Sequence, residues 1–293
     1  MERIFYYSNF DKDVVIEDYL RSIGYSKGCL SFLKRNKGVF VNGVHVNNNS
    51  IISPNDELKI IFYEQGNKKI KPFQFDIEVL YEDEDIIVVN KPPHMPVHPS
   101  SKNQTTTLAN AMAYYLPNVP FRCITRLDTD TTGLVLLAKN MLAAHVLHSE
   151  MQQRKIEKEY IAFVSNFFQR SEGTIDLPIA RKDEGNILRV VSKNGQEAIT
   201  HYQVINQYNS FSIVQLKLQT GRTHQIRVHM AHIGHPVIGD KLYNKSNQLL
   251  DRQALHAYKL IFTHPITKQV IKLEAELPKD MHDLVFLQSH TNK

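Results

Sequence analysis

Two polar clusters in this 293-residue chain hold the residue types that can do chemistry. The first reads Thr125-Arg126-Leu127-Asp128-Thr129-Asp130-Thr131-Thr132-Gly133 and runs into the apolar stretch Leu134-Val135-Leu136-Leu137-Ala138. Packing gives no reason to place an acid there, so Asp128 is the candidate reactive carboxylate. Taken alone, the segment is slightly better accounted for by an Asx-turn, with Asp128 capping a loop that enters a strand. The second cluster is Gly221-Arg222-Thr223-His224-Gln225-Ile226-Arg227-Val228-His229. Thr223 has the chemistry of an N-cap, which would put Arg222 where backbone N–H groups and the helix dipole favour an anion. On the helix that follows, Ile226, Met230 and Ile233 form a stripe, and Arg227 sits about 100° from Ile226, at the stripe's edge. A guanidinium there is costly unless a carboxylate meets it. Asp128 has no other obvious partner. A forked Arg227–Asp128 contact is therefore expected, keeping the acid ionised and fixing its oxygens; an arginine snorkelling to water is the alternative.

Other chemistries share some of these residues. Asp128-x-Asp130-x-Thr132 fits the nucleophile loop of magnesium-dependent, haloacid-dehalogenase-type phosphatases, and Gly239-Asp240 could imitate their magnesium site. Against that, Thr125 and Arg126 interrupt the apolar approach, and Asn244 stands where another acid is expected. A calcium loop starting at Asp128 fails at its twelfth position, which is Lys139. His229, His232 and His235 are spaced three apart. His229 and His232 fall on the polar side of the helix and His235 lies beyond Gly234, so no metal site is expected. A non-catalytic RNA-binding protein with a purely structural Asp128–Arg227 pair is the remaining rival.

The elements that must position these clusters divide the chain in two. Residues 1–65 read as a small unit. Val15, Ile16, Tyr19, Leu20 and Ile23 recur at helical spacing up to a stop at Gly24, and Lys27, Lys34, Arg35 and Lys37 edge a second helix. Val39–Val41, Asn42-Gly43 and Val44–Val46 then make a hairpin. This order resembles the S4-type RNA-binding module, with Ser26-Lys27-Gly28 where that module usually has Ser-Arg, and it makes Lys27, Lys34 and Arg35 the candidate RNA contacts. Residues 66–75 are the expected linker and 76–293 the catalytic unit. There, Lys91–Pro99 must be an extended loop because its prolines forbid helix and central strand. Thr107 and Asn140 each cap a helix. Strands dominate from Glu159 to Gln219, a hairpin turns at Pro265, and a helix closes the chain. The expected class is α+β, with a mixed, largely antiparallel sheet.

Composition narrows the setting. The 35 basic and 30 acidic residues leave a net charge of +5, which is compatible with a polyanionic partner. Two cysteines, Cys29 and Cys123, build neither a disulfide framework nor a metal site. With neither a secretory signal nor an apolar span of membrane length, the chain is expected to be cytoplasmic. A monomer with no obligate protein partner is expected.

Four blocks then fall into one pattern: Arg126-Leu127-Asp128-x-x-Thr131-Thr132-Gly133, Lys158-Glu159-Tyr160-Ile161-Ala162, Gly221-Arg222-x-His224-Gln225-Ile226-Arg227-Val228-His229, and Gly234-His235-Pro236-x-x-Gly239-Asp240. In order and spacing they resemble the RluA-type RNA pseudouridine synthases across residues 75–277. Thr125 and Thr132 stand where that family usually has His and Ser. The resemblance implies conversion of uridine in structured RNA to pseudouridine, with ribosomal RNA first and transfer RNA second. It makes Asp128 the catalytic aspartate, Arg227 its ion-pair partner and Tyr160 the aromatic that stacks on the target base. Arg126 would fill the space that the flipped base vacates, Arg222 would bind backbone phosphate, and Asp130 is left a loop-capping role. The isomerisation changes no oxidation state and loses no atom, so neither cofactor nor metal is expected.

Overall fold

The computed structural model describes residues 2–66, 69–101, 103–246 and 249–291. Its first part comprises β1 (Glu2–Tyr7), β2 (Val14–Val15), α1 (Ile16–Ser22), α2 (Lys27–Arg35), β3 (Val39–Val41), β4 (Val44–His45), β5 (Ile51–Ile52) and β6 (Leu58–Tyr63). Strands β1-β6-β3-β4 form one antiparallel sheet, and β2 pairs with β5. Ser26 caps α2 by accepting the Cys29 N–H at 3.1 Å. Cys29, Leu30 and Leu33 then turn inward. Asn42 and Gly43 both have positive φ, 51° and 83°, as the tight turn of a two-residue hairpin requires. Strand β1 was not expected from sequence. Only Phe5 is buried along it, so no apolar alternation marks it; six-residue pairing with β6 fixes it instead.

The larger part continues with β7 (Glu78–Glu82), β8 (Ile86–Lys91), α3 (Leu108–Tyr115), β9 (Thr132–Ala138), α4 (Met141–Gln152), β10 (Glu157–Val164), β11 (Glu172–Asp176), β12 (Ile179–Arg181) and β13 (Arg189–Val191). It ends with β14 (Ile199–Gln207), β15 (Ser212–Leu218), α5 (Gln225–His232), β16 (Leu255–Thr263), β17 (Val270–Glu274) and α6 (Lys279–Thr291). A sheet in the order β11-β14-β15-β10-β16-β9-β8-β7, with β17 on β16, spans this part. Its one parallel pair joins β9 to β16 through His256↔Thr132 and Ala257↔Gly133. All seven residues of β9 are buried, the reason this strand reads as an unbroken apolar run rather than an alternating one. Gly133 has φ +111°, and a Cβ there would stand 2.2 Å from the Ala257 carbonyl oxygen. Only glycine lets the strand after Asp128 come this close to β16. The expected fold class holds.

Buried polar contacts join the two parts. Arg3 grips Asp85 with two hydrogen bonds of 2.8 and 3.0 Å, and Asn140, the cap of α4, donates to the same carboxylate at 2.7 Å. Glu64 accepts from Arg122 at 2.6 Å and from the Met141 N–H at 2.8 Å. Leu142 of α4 is buried in the cluster formed by Phe5, Leu20, Leu30 and Phe62. One end of α4 thus belongs to the core of the first part. Of the expected linker, Asn67 and Lys68 lie outside the described residues. Gly66 abuts Pro117 so closely that a Cβ would meet its carbonyl oxygen at 2.2 Å.

Candidate active site

Asp128 lies in the loop before β9, closed by a Thr131 N–H to Asp128 carbonyl bond of 3.2 Å. Thr125, buried at the start of this loop, accepts the Leu136 N–H on its hydroxyl at 2.9 Å, so the side chain at this position anchors the loop to β9. Thr132 is likewise buried, its hydroxyl 2.9 Å from His256 Nδ1. Beneath the loop, Lys91 is fully buried, with its Nζ donating to the carbonyls of Pro92, Met95 and Thr129 at 2.7, 3.0 and 2.9 Å. Burial pushes its pKa down to about 7, with Asp130 and Asp128 opposing the shift. Lys91 staples the proline-rich loop to the Asp128 loop. The sequence marks it only as the first residue of the extended loop.

Arg227 projects from α5 to meet Asp128, with Nη1 2.9 Å from Oδ2. The expected fork, however, belongs to Asp240, whose two oxygens take Nε and Nη2 at 2.7 and 2.8 Å. Asp240 is wholly buried, and its Oδ1 also accepts the Leu242 and Tyr243 N–H groups at 2.9 and 3.2 Å. Gly239, at φ +70° and with Arg252's carbonyl oxygen 2.1 Å from a would-be Cβ, permits the turn that tucks Asp240 inward. A carboxylate so fully engaged has no free face for magnesium, so the Gly239-Asp240 pair does not make the metal site of a phosphatase. Burial alone would lower the Arg227 pKa; the hydrogen bonds and charge of Asp240, then Asp128, outweigh it and raise it. The guanidinium is therefore a permanent cation, held by one acid and offered to another. Among the described residues, Asp128 Oδ1 accepts no hydrogen bond.

The N-terminus of α5 departs from expectation. Thr223 does not cap it. The helix starts at Gln225, after His224 in left-handed conformation at φ 58° and ψ 19°, a geometry that costs an L-residue roughly 1–2 kcal/mol. No side chain caps the helix; Gln225 instead ties down the turn before it, its side-chain oxygen accepting the Arg222 N–H and the Thr220 hydroxyl at 2.9 Å each. His229 is not on a polar face either: it is fully buried, between the Thr200 hydroxyl and the Leu177 carbonyl, both at 2.9 Å. His235 stacks on Phe168 with centroids 3.6 Å apart. His232 is exposed, and among the described residues the three histidines form no group with metal-ligand spacing. Among the described residues one group has metal-like spacing, Asp83, Asp85 and His264. Its carboxylates are occupied by Arg3, Asn140, Tyr81, His264 and backbone N–H groups.

Asp128 stands where two clefts meet. One, of about 480 Å³, is walled by Tyr160, Leu218, Met151 and Ile156, with Arg126, Arg154, Lys158 and Arg222 as its cations and Asp128 as its one acid. The other, of about 770 Å³, runs past Arg126 and Asp128 to Val97, Ile187, Lys241 and Arg252. A narrow throat lined by Asp128, Tyr160, Leu218 and Arg227 opens beside them. Tyr160 is 7% exposed, packed in the core and lining both the basic cleft and the throat; burial first, then the charge of Asp128, raises its pKa. Arg126 and Arg222 are exposed at the rim, and Arg222 Nε donates to the Glu197 carbonyl at 2.9 Å. Lys27, Lys34 and Arg35 lie on the outer face of α2, exposed and distant in sequence from this site. The site thus unites Asp128, Arg227, Tyr160, Arg126 and Arg222. The sequence reading missed His224, Tyr243, Gln225 and Lys91 as parts of it. Gln225 and His224 stood inside the third of the four blocks, but nothing in spacing reports a left-handed residue or a side chain that ties down the preceding turn.

Residues 85–232 match the family model described as RNA pseudouridylate synthase. Over 283 residues the chain is 36% identical to an uncharacterized RNA pseudouridine synthase, YjbO, of Bacillus subtilis, covering 94% of this chain and 100% of that one. It is 39% identical over 248 residues to the ribosomal large subunit pseudouridine synthase D of Haemophilus influenzae, covering 78% and 76%. Among solved structures, human RNA Pseudouridylate Synthase Domain Containing 1 superposes with a TM-score of 0.60 at 26% identity, over 73% of this chain and 95% of that one.

Proposed function

Because the chain belongs to the RNA pseudouridylate synthase family, in its RluA-type branch, and so is an isomerase acting on uridine in RNA, we propose that Asp128 is its reactive carboxylate and ribosomal RNA its substrate. The observation that carries this reading is the suspension of Asp128 at the throat of a basic cleft by an arginine that a second, buried acid already holds. Ribosomal RNA is favoured over transfer RNA because relatives at 36–39% identity carry the name ribosomal large subunit pseudouridine synthase D.

The reaction breaks the C1′–N1 bond, turns the uracil and forms a C1′–C5 bond; the C5 proton leaves and N1 gains one. Nothing is oxidised. Arg227 fixes Asp128 Oδ2 and leaves Oδ1 for the nucleoside. Reaching it requires the uridine to leave its stack, which costs a few kcal/mol. Tyr160 returns part of that by stacking on the base, where such contacts contribute about 1–3 kcal/mol. Arg126, at the rim shared by both clefts, fills the space the base vacates, and Arg222 holds phosphate. Residues 1–65 act as an S4-like module that adds phosphate contacts through Lys27, Lys34 and Arg35, and residues 76–293 form the catalytic unit. The enzyme works as a cytoplasmic monomer.

Mapping pseudouridines in RNA from cells with and without this gene identifies the target. In parallel, Asp128→Asn is expected to lower the rate by about 10⁴-fold or more, in the range seen when a reacting group is removed, while RNA affinity stays within a few fold. Activity persisting in that variant would overturn the assignment.

A further inference from the structure

Asp128 has a second neighbour that the pairing with Arg227 does not explain. His224 Nε2 lies 3.8 Å from Asp128 Oδ2, too far for a hydrogen bond and close enough for a small movement to make one. The ring's other nitrogen, Nδ1, is 2.9 Å from the Tyr243 hydroxyl. That hydroxyl accepts the backbone N–H of Arg189 at 2.9 Å. Among the described residues its own proton has no other acceptor, so it is donated to His224 Nδ1. The imidazole proton then resides on Nε2, the nitrogen directed at Asp128. Burial lowers the His224 pKa, with Asp128 opposing, Arg227 reinforcing, Asp240 opposing and Arg189 reinforcing. A neutral donor here adds a hydrogen bond without a second positive charge beside Arg227.

Tyr243 also touches Arg227, whose guanidinium sits 5.2 Å above its ring, while His224 meets the ring edge-on at 5.8 Å. It thus contacts both residues that flank the carboxylate. At its far end the chain of contacts reaches Arg189, the first residue of β13. The loop that leads into β13 carries Ile187, exposed on the wall of the 770 Å³ cleft.

We propose that the Arg189 N–H, the Tyr243 hydroxyl and His224 form a positioning relay that closes on Asp128 when RNA settles on the β12–β13 hairpin. The second hydrogen bond to the carboxylate would thereby be completed only in the RNA complex. This rests on Asp128 being the reactive carboxylate. His224 and Tyr243 are positioning residues in this scheme and need not touch the nucleoside.

The test uses the full chain, a large-subunit ribosomal RNA transcript and two readouts. Tyr243→Phe keeps the ring under Arg227 and removes only the hydroxyl. It is expected to slow single-turnover pseudouridine formation by roughly 10- to 100-fold, the scale of a misplaced reacting group, with the transcript's Kd unchanged within twofold. His224→Ala should match it, and His224→Gln, which restores an N–H donor, should recover part of the rate. On the free protein, nitrogen-15 NMR should find the His224 proton on Nε2, and Tyr243→Phe should mix the tautomers. A wild-type rate in Tyr243→Phe, an equal loss of affinity and rate, or a proton on Nδ1 in the wild type would each overturn the relay. A wild-type enzyme that modifies no RNA would count against the functional reading; the tautomer measurement would still decide the relay.

Discussion

The charges around Asp128 and those on the outer face of α2 follow opposite rules. Arg227 is buried, gripped by Asp240 and shared with Asp128, whereas Lys27, Lys34 and Arg35 are exposed and make no ion pair among the described residues. A buried, fully paired guanidinium contributes geometry: its direction is fixed before any substrate arrives, and it costs no reorganisation during reaction. Exposed, unpaired cations contribute long-range attraction that is steered and screened by salt. Substitutions in the first region should therefore change fold or rate, and those in the second should change affinity alone.

The largest separation is expected within the buried network itself. Asp240→Ala leaves Arg227 buried with one partner instead of two, and breaking such a pair costs about 3–5 kcal/mol. Urea unfolding should register that loss. Asp128→Asn should leave stability nearly unchanged, because Asp240 still pairs the arginine. If the two variants were equally stable, Asp240 would not be the anchor and the contrast between structural and reactive acid would fail.

Asp240 marks the limit of what the sequence reveals. The convergence of the candidate residues was legible: Asp128, Arg227 and Tyr160 do meet at one throat, because their motif residues fall on a loop, a helix and a strand that this sheet order brings together. The strands β9 and β15 were legible too, since burial on one or both faces writes itself into apolar pattern. What stayed hidden depends on long-range pairing. The fork to Asp240, the burial of Lys91 among three carbonyls and the left-handed His224 are set by backbone from distant segments, and no local period encodes them. Strand β1 was missed for the same reason.

A smaller effect separates the two units by pH. His256 is fully buried between the Thr132 hydroxyl and the Ala275 carbonyl, and burial pushes its pKa down to about 4. The unfolded chain, with an ordinary histidine pKa near 6.5, binds the proton first as pH falls. The associated stability is thus complete above about pH 6.5 and disappears as pH drops toward 4, amounting to roughly 2 kcal/mol or more at pH 4.5. Residues 1–65 hold a single histidine, His45, and it is exposed. Urea titrations at pH 7 and 4.5 should show a smaller acid loss for His256→Gln than for the wild type. An identical loss would remove His256 from the account.

The mildest substitutions sharpen the comparison from the other side. Replacing Lys27, Lys34 and Arg35 together by Ala removes no buried contact, so unfolding should be unaffected. If each cation meets a phosphate, the slope of log affinity against log salt should shrink by roughly 2–3 for the triple variant, from about 0.7–0.9 per phosphate. The rate at saturating RNA should hold, because α2 supplies none of the groups lining the throat. A drop in that rate at unchanged affinity would show that residues 1–65 act on the chemistry. Helix α4 would be the route to examine, since Leu142 at one end packs in the first core and Met151 at the other lines the cleft beside Tyr160. An unchanged salt slope would instead mean that RNA never reaches α2, and that this exposed basic face is an ordinary solvated surface.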